Sequence, residues 1–244
     1  MTESVLPALK KRYARWNEYS FPETEFRTAM SLARAGNMGR SVISPERRKF
    51  YDEIGIDPSA VRTLRQVHSK NIINSVLWHD DCEGDGIYSV SPHETLGITS
   101  ADCVPVFIFH SKIPLFGAFH SGWKGTGIVK TGLERIAEET GVPPGDLSAF
   151  IGPSIGGCCY DVDDERGASF FESFGGSAAV KKNGKWFLDL REANIRILSK
   201  AGTAKIYVDR DCTCCNRSYG SYRRQGPEDF DLMLSLGGYW GLVT

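Results

Sequence analysis

The sequence predicts an α+β fold: one compact domain with mixed β-sheets and flanking helices. Three observations point there. The elements mix hairpin-like neighbours with helical returns, not a uniform strand–helix alternation. The run CVPVFIFH from Cys103 is apolar, β-branched or aromatic for long enough to be a strand buried on both faces, and IPLFGAF repeats it after a break at Ser111 and Lys112. The chain has 244 residues, long for one domain and short for two, with no internal repeat or low-complexity tract.

Residues 1–25 mix polar and aromatic side chains without clear periodicity and read as an irregular N-terminal arm, with 26–244 as the domain proper. Phe26 to Met30 suits a strand, and Ala35 to Gly39 a turn, since Gly36 and Asn37 tolerate positive φ. Ser44, Pro45 and Gly55 predict a helix over ERRKFYDEIG, with a serine N-cap, proline in the first turn and glycine at the stop. VRTLRQVHS alternates as a half-buried strand ending at His68, which puts Gln66 and His68 on one face, and IINSVLW follows as a second strand after a turn at Lys70 and Asn71. An acidic, glycine-containing turn, Asp80 to Gly86, leads through GIYSV to the central strands. Beyond them come a helix from Ile128 to Thr140, a break at Pro143-Pro144-Gly145, the strand LSAFIGPSI with a glycine loop to Gly157, and a helix over DDERGASFFESF. KWFLDLREANIRILSKAG turns from strand edge to helix at Asp189, and AKIYVDRDC reads as the last strand.

The formal net charge of −1, from 29 Lys and Arg against 30 Asp and Glu, leaves no polybasic footprint for nucleic acid and favours small-molecule chemistry. No run approaches the length of a membrane span, and the opening MTESVLPALKKRYARW has neither a continuous apolar region nor a small-residue cleavage site, so the cytoplasm is the expected address. Seven cysteines are an odd count, poorly suited to a secreted disulfide framework.

If Ser111 to Pro114 is a tight reversal, antiparallel pairing brings Cys103 beside His120. Two imidazoles and a thiolate, His68, Cys103 and His120, are an open catalytic zinc set with a fourth position left for water or substrate. Their separations of 35 and 17 residues leave two other readings open, a metal-free Cys–His nucleophile pair and buried residues that never meet. Ser121 to Thr126 is a glycine-punctuated entry to the next helix, where backbone N–H groups favour an anion. Cys212, Cys214 and Cys215, with Cys158 and Cys159, raise a structural zinc site, but the C-x-C-C spacing lacks the usual C-x₂₋₄-C pair, and thiols packed at a strand end are the preferred reading. Gly152 to Gly157 lacks the Lys-Ser/Thr ending of a P-loop and reads as a turn shaping a pocket wall. His79, His93 and His110 lie near turns or strand ends.

Taken in order, Gln66-Val67-His68, Thr99-Ser100-Ala101-Asp102-Cys103, Phe119-His120-Ser121-Gly122-Trp123-Lys124-Gly125, Ile151 to Ile155 with Cys158-Cys159-Tyr160, and Ser221-Tyr222-Arg223-Arg224 resemble the YfiH/laccase-domain family. The resemblance implies a YfiH/CNF1-like fold and a catalytic metal centre at His68, Cys103 and His120, with Zn2+ preferred and Cu2+ as the lesser alternative. It further implies purine nucleoside phosphorylase activity, with adenosine deaminase and methylthioadenosine phosphorylase activities, on purine nucleosides and phosphate. Relatives that edit peptidoglycan precursors supply an alternative, a metal-dependent hydrolase. Copper polyphenol oxidation ranks lower, because five histidines are too few for a multinuclear copper cluster, and a non-catalytic zinc-binding partner protein is a further lower-ranked alternative. For phosphate, Lys124, Arg223 and Arg224 are the expected cations, with Asn37 and Gln66 as polar substrate contacts. The chain departs from the family pattern at Lys124, where Arg is frequent, and at Gln225 to Asp229, where a Thr-Gly-Arg turn is common.

Overall fold

In the computed structural model, which describes residues 5–39 and 44–240, two sheets stack face to face and helices cover their outer sides. The chain starts with β1 (Val5–Pro7), β2 (Leu9–Arg12), β3 (Trp16–Ser20) and β4 (Arg27–Ser31), then α1 (Pro45–Ile54), β5 (Val61–Thr63), β6 (Ile72–Asn74), β7 (Gly86–Ser89) and β8 (Thr95–Ser100). The central hairpin is β9 (Val104–His110) and β10 (Phe116–Ser121), followed by α2 (Ile128–Thr140) and β11 (Leu147–Ile151). The remainder is β12 (Asp161–Val162), α3 (Asp164–Phe174), β13 (Ala179–Lys182), β14 (Lys185–Leu188), α4 (Leu190–Lys200), β15 (Lys205–Val208), α5 (Tyr222–Gln225) and β16 (Met233–Gly238).

A seven-stranded sheet runs β1-β15-β11-β9-β10-β7-β6, a six-stranded one β2-β3-β4-β16-β8-β5, and a small one β12-β14-β13. Both large sheets are mixed: β11, β15 and β1 run parallel, as do β6 with β7 and β5 with β8, and the other pairs are antiparallel. The fold is a single mixed α/β domain with several mixed sheets and few helices, as the order of elements predicts.

The alternation along β9 explains why it is apolar throughout. Val104, Val106 and Ile108 pack toward Val129, Leu133 and Leu198 of α2 and α4, while Phe107 and Phe109 face the other way, against Leu96, Ile98 and Met233 of the six-stranded sheet. On the far side of that sheet Phe50 and Tyr51 of α1 meet Val61, Leu234 and Leu236. Helix α1 is placed by the signals read from its sequence: the Ser44 hydroxyl accepts from the Arg47 amide at 3.3 Å, Pro45 opens the first turn, and Gly55 stops the helix at φ 74°.

Three readings are corrected. Residues 5–7, 9–12 and 16–20 are strands, not an irregular arm; β1 is an edge of the seven-stranded sheet, and Trp16 and Tyr19 are buried by their neighbours in a way that local pattern does not reveal. AKIYVDRDC is not the last strand, for β16 lies between β4 and β8. Its glycines weaken the strand signal, yet a Cβ on Gly237 would stand 2.6 Å from the Phe107 ring, so the missing side chain lets the two sheets close. Finally, VRTLRQVHS is a strand only over Val61–Thr63. The expected hairpin with IIN does not form, because β5 belongs to the six-stranded sheet and β6 to the seven-stranded one. Residues 64–71 cross between the sheets, and His68 lies on that crossing.

Candidate metal centre and its cavity

Register places two of the three expected ligands. Ser121 pairs with Val104, so the residues just beyond, Gly122 and Cys103, face each other where the β9–β10 hairpin opens, and His120 is the penultimate residue of β10. Glycine is required there: a Cβ on Gly122 would lie 2.9 Å from Cys103 Sγ and 3.3 Å from His68 Nδ1. The donor atoms of His68, Cys103 and His120 all lie within 4.8 Å of one another, and the two imidazole centroids are 4.9 Å apart. His68 is exposed, Cys103 half-buried and His120 buried. Two neutral nitrogens and one thiolate at this separation fit a single borderline-soft divalent ion.

The residue that organises this centre is Asp85, which sequence reading passed over as part of an acidic turn. Phe119 pairs with Gly86, so the next position brings Asp85 opposite His120. The fully buried carboxylate accepts from His120 Nδ1 at 2.8 Å, from the Val67, His68 and Ser69 amides at 3.2, 3.0 and 2.6 Å, and from the Ser69 hydroxyl at 2.8 Å. Three successive N–H groups around one carboxylate form an anion nest, and the nest bends the crossing segment so that His68 takes φ 58°. Burial works to raise the Asp85 pKa, but the hydrogen bonds from His120 and Ser69 outweigh it and hold the acid at about 2. Burial alone would lower His120; the facing Cys103 and the Asp85 carboxylate lift it to about 9. With Nδ1 committed to Asp85, Nε2 is the nitrogen left for a metal.

Asp102 does the same for the other wall. It stands at φ 86° between β8 and β9, and its buried carboxylate accepts from the Thr213 hydroxyl at 2.6 Å, the Ser221 hydroxyl at 3.1 Å and the Arg223 amide at 2.7 Å. Two non-glycine residues in the left-handed region, on the two segments that bring His68 and Cys103 in, mark backbone held in place for a site.

The centre opens on a cavity of about 600 Å³, ordinary for a small-molecule site. Its wall carries two arginine–aromatic pairs: the Arg166 guanidinium 4.1 Å from the Trp123 ring centre, and Arg223 5.3 Å from that of Tyr160. Arg223 is also paired with Asp161. Nothing local to the sequence marks Arg166, in the first turn of α3, as a cavity cation.

The other expected contacts separate. Gln66 lines the cavity, but its amide is spent on Thr99, donating to the carbonyl at 2.8 Å and accepting from the backbone N–H at 2.8 Å, which ties the crossing segment to β8. Arg224 donates to the carbonyls of Thr213 and Cys214 at 2.6 and 2.9 Å and to that of Tyr219, so its guanidinium is a loop clamp and not a cavity cation. Asn37 is exposed and bound to the Phe230 carbonyl at 3.1 Å. Lys124 is exposed on the turn before α2, away from the cavity wall. The thiols of Cys158, Cys159, Cys212 and Cys215 are not buried at a strand end; they are part-exposed and gathered within 4.8 Å of one another.

A single mixed α/β domain with a His–Cys–His centre at the mouth of a central hairpin defines the class. Within it, the chain belongs to the family described as multi-copper polyphenol oxidoreductase laccase, which matches residues 27–233. The chain is 29% identical over 225 residues to a protein of Clostridium acetobutylicum named purine nucleoside phosphorylase, covering 88% of this chain and 93% of that one. It is 28% identical over 200 residues to a purine nucleoside phosphorylase of Deinococcus radiodurans, covering 80% and 77%. In structure it resembles YlmD of Geobacillus stearothermophilus, with a TM-score of 0.84, 26% identity, and 95% and 99% of the two chains covered. Against the hypothetical protein YfiH of Bacillus licheniformis the TM-score is 0.79 at 29% identity, covering 88% and 92%.

Proposed function

We propose that the chain is a zinc-dependent purine nucleoside phosphorylase with adenosine deaminase and methylthioadenosine phosphorylase activities, working at His68, Cys103 and His120. The observation that carries this reading is one cavity bearing three metal-donor atoms within 4.8 Å, two aromatic faces and two adjacent guanidinium groups. The curated relatives named purine nucleoside phosphorylase support it. Among the described residues the only imidazoles in a metal-donor group are His68 and His120, which argues against a His-rich multinuclear copper set.

In phosphorolysis a phosphate oxygen attacks C1′ of the ribose, the C1′–N9 bond breaks, and its electron pair leaves with the purine, which takes up a proton. The rate depends on placing phosphate beneath an electron-poor sugar carbon. Arg223 and Arg166 are the cavity's candidates to hold that anion, and Trp123 and Tyr160 to flank the purine. Asp85 fixes the His120 ring and the backbone of His68, so the donors are oriented before a ligand arrives. A bound zinc would supply Lewis-acid charge at this wall.

The test is to incubate purified, zinc-loaded protein with adenosine, with and without phosphate, and to follow adenine and inosine by chromatography. Adenine that requires phosphate, inosine that does not, and loss of both in Cys103→Ser are expected. No turnover of adenosine or methylthioadenosine by the metal-loaded protein would overturn the reading.

A further inference from the structure

Away from the cavity's donor set, the parallel neighbours β11 and β15 end side by side, and each runs into a cysteine-bearing turn. After β11 the cysteines are Cys158 and Cys159; after β15 they are Cys212, Cys214 and Cys215, of which Cys212 and Cys215 meet the first pair. The two segments are stitched together ahead of the thiols, by a parallel bridge between Ser154 and Cys212 and by the Thr213 amide donating to the Ser154 carbonyl at 3.1 Å. Cys215 Sγ lies 3.6 Å from Cys158 Sγ and 3.3 Å from Cys159 Sγ, and all four sulfurs fall within 4.8 Å of one another.

We propose that Cys158, Cys159, Cys212 and Cys215 form a second metal site, a tetrahedral four-thiolate centre that takes one thiophilic divalent ion, zinc in the first place. Four sulfurs at about 2.3 Å from a common centre stand roughly 3.8 Å apart, so these thiols need only small adjustments to reach that geometry. They sit too close together to cage a multi-iron cluster. Half of the spacing conforms once Cys214 is left out: Cys212 and Cys215 are a C-x₂-C pair, which reading C-x-C-C as one unit conceals, while Cys158 and Cys159 are adjacent. The Gly156 amide donates to Cys212 Sγ at 3.2 Å, the N–H to sulfur contact that favours a thiolate. A Cβ on Gly156 would stand 2.6 Å from Arg191 Nη2 and 3.3 Å from Cys158 Sγ, so the buried Arg191 guanidinium, itself paired with Asp189 at 3.2 Å, lies close to the cluster.

The site would pin two segments that shape the cavity. The loop with Cys158 and Cys159 ends at Tyr160, and the Cys159 carbonyl accepts from Arg223 at 3.4 Å. The loop with Cys212 and Cys215 carries Thr213, whose hydroxyl binds Asp102 and whose carbonyl binds Arg224. Binding there is structural and stands apart from the proposed reaction.

Zinc is counted by elemental analysis in protein purified under reducing conditions. Two ions per chain are expected in the wild type and one in each of Cys103→Ser and Cys215→Ser, with far-UV circular dichroism checking the fold. Zinc-edge X-ray absorption of the wild type, which needs no variant, should show about 2.5 sulfur neighbours per zinc, the mean of a four-sulfur and a one-sulfur site. Cobalt loaded into Cys103→Ser should show sulfur-to-metal charge transfer. One zinc in the wild type, kept in Cys215→Ser and lost in Cys103→Ser, overturns the second site and leaves the first intact. One zinc kept in Cys103→Ser and lost in Cys215→Ser upholds the second site and removes zinc from the proposed catalytic centre. A disulfide among the four cysteines in freshly prepared protein, found by mass spectrometry, would also overturn the proposal.

Discussion

Asp85 and His120 face each other across the β7–β10 pairing, 2.8 Å from Oδ1 to Nδ1, and the same carboxylate gathers the three amides that bend the His68 segment. One buried acid therefore positions both imidazoles. Asp85→Asn keeps the shape and removes the charge, and should lower zinc affinity at this centre about 10- to 100-fold. Competition with a calibrated chelator measures it. Affinity equal to wild type would mean that the backbone alone holds the ligands.

Gly122→Ala tests the crowding between the ligands. The added methyl would stand 2.9 Å from Cys103 Sγ and 3.3 Å from His68 Nδ1, so the donor atoms must shift to admit it. Zinc bound to the His–Cys–His centre and nucleoside turnover should both fall at least tenfold, with the thermal midpoint little changed because few core contacts are lost. A full zinc complement with normal turnover would show that the site accommodates the methyl.

The arginine pair should divide by role. Arg224→Ala leaves three loop carbonyls without their charged donor and should cost about 1.5–3 kcal/mol in urea unfolding. Arg223→Met should raise the phosphate KM roughly 10- to 150-fold, the equivalent of one charge-assisted contact. Lys124→Met should change that KM by less than about threefold, since Lys124 is not among the residues that line the cavity. The reverse ranking of Arg223 and Lys124 in phosphate KM would move the anion to the turn before α2.

Glu139 of α2 accepts from Tyr88 of β7, from Asn74 of β6 at 3.0 Å and from Arg135 at 2.6 Å, and these contacts hold its pKa down at about 2 against an ordinary 4.5. A depressed carboxylate contributes stability that is full above pH 4.5 and is lost as pH falls through about 2. The group is largely exposed, so the contribution is modest, on the order of 0.5 kcal/mol. Glu139→Gln should lower the urea midpoint at pH 6, and the gap to wild type should close between pH 4.5 and 2. A gap that is constant with pH would assign the effect to packing.

What the sequence discloses is local. Helix α1 is legible because serine, proline and glycine sit at its two ends, and β9 and β10 because burial on both faces imposes an unbroken apolar run. The meeting of Cys103 with His120 follows from the same hairpin. His68 is harder, since the backbone around it is set by Asp85 and Gln66 and not by strand alternation. Asp102 and Asp85 carry no local signature, for their work depends on partners such as Arg223, 121 residues away in the chain. The four-cysteine cluster is obscured for a related reason: the relevant C-x₂-C pair has a third cysteine inside it, and its other half lies in the turn after a neighbouring strand.

The segment 64–71 passes from one large sheet to the other and delivers His68 as it does so, while Cys103 and His120 belong to the hairpin of the second sheet. The hairpin can form early, from residues close in the chain, but the third donor arrives only once the crossing segment closes around Asp85, just before β7. On the proposed reading, an ion held by all three donors would report that the crossing has closed on the hairpin. A chain with the crossing detached would keep two donors, so that zinc bound there would be lost before any gross unfolding.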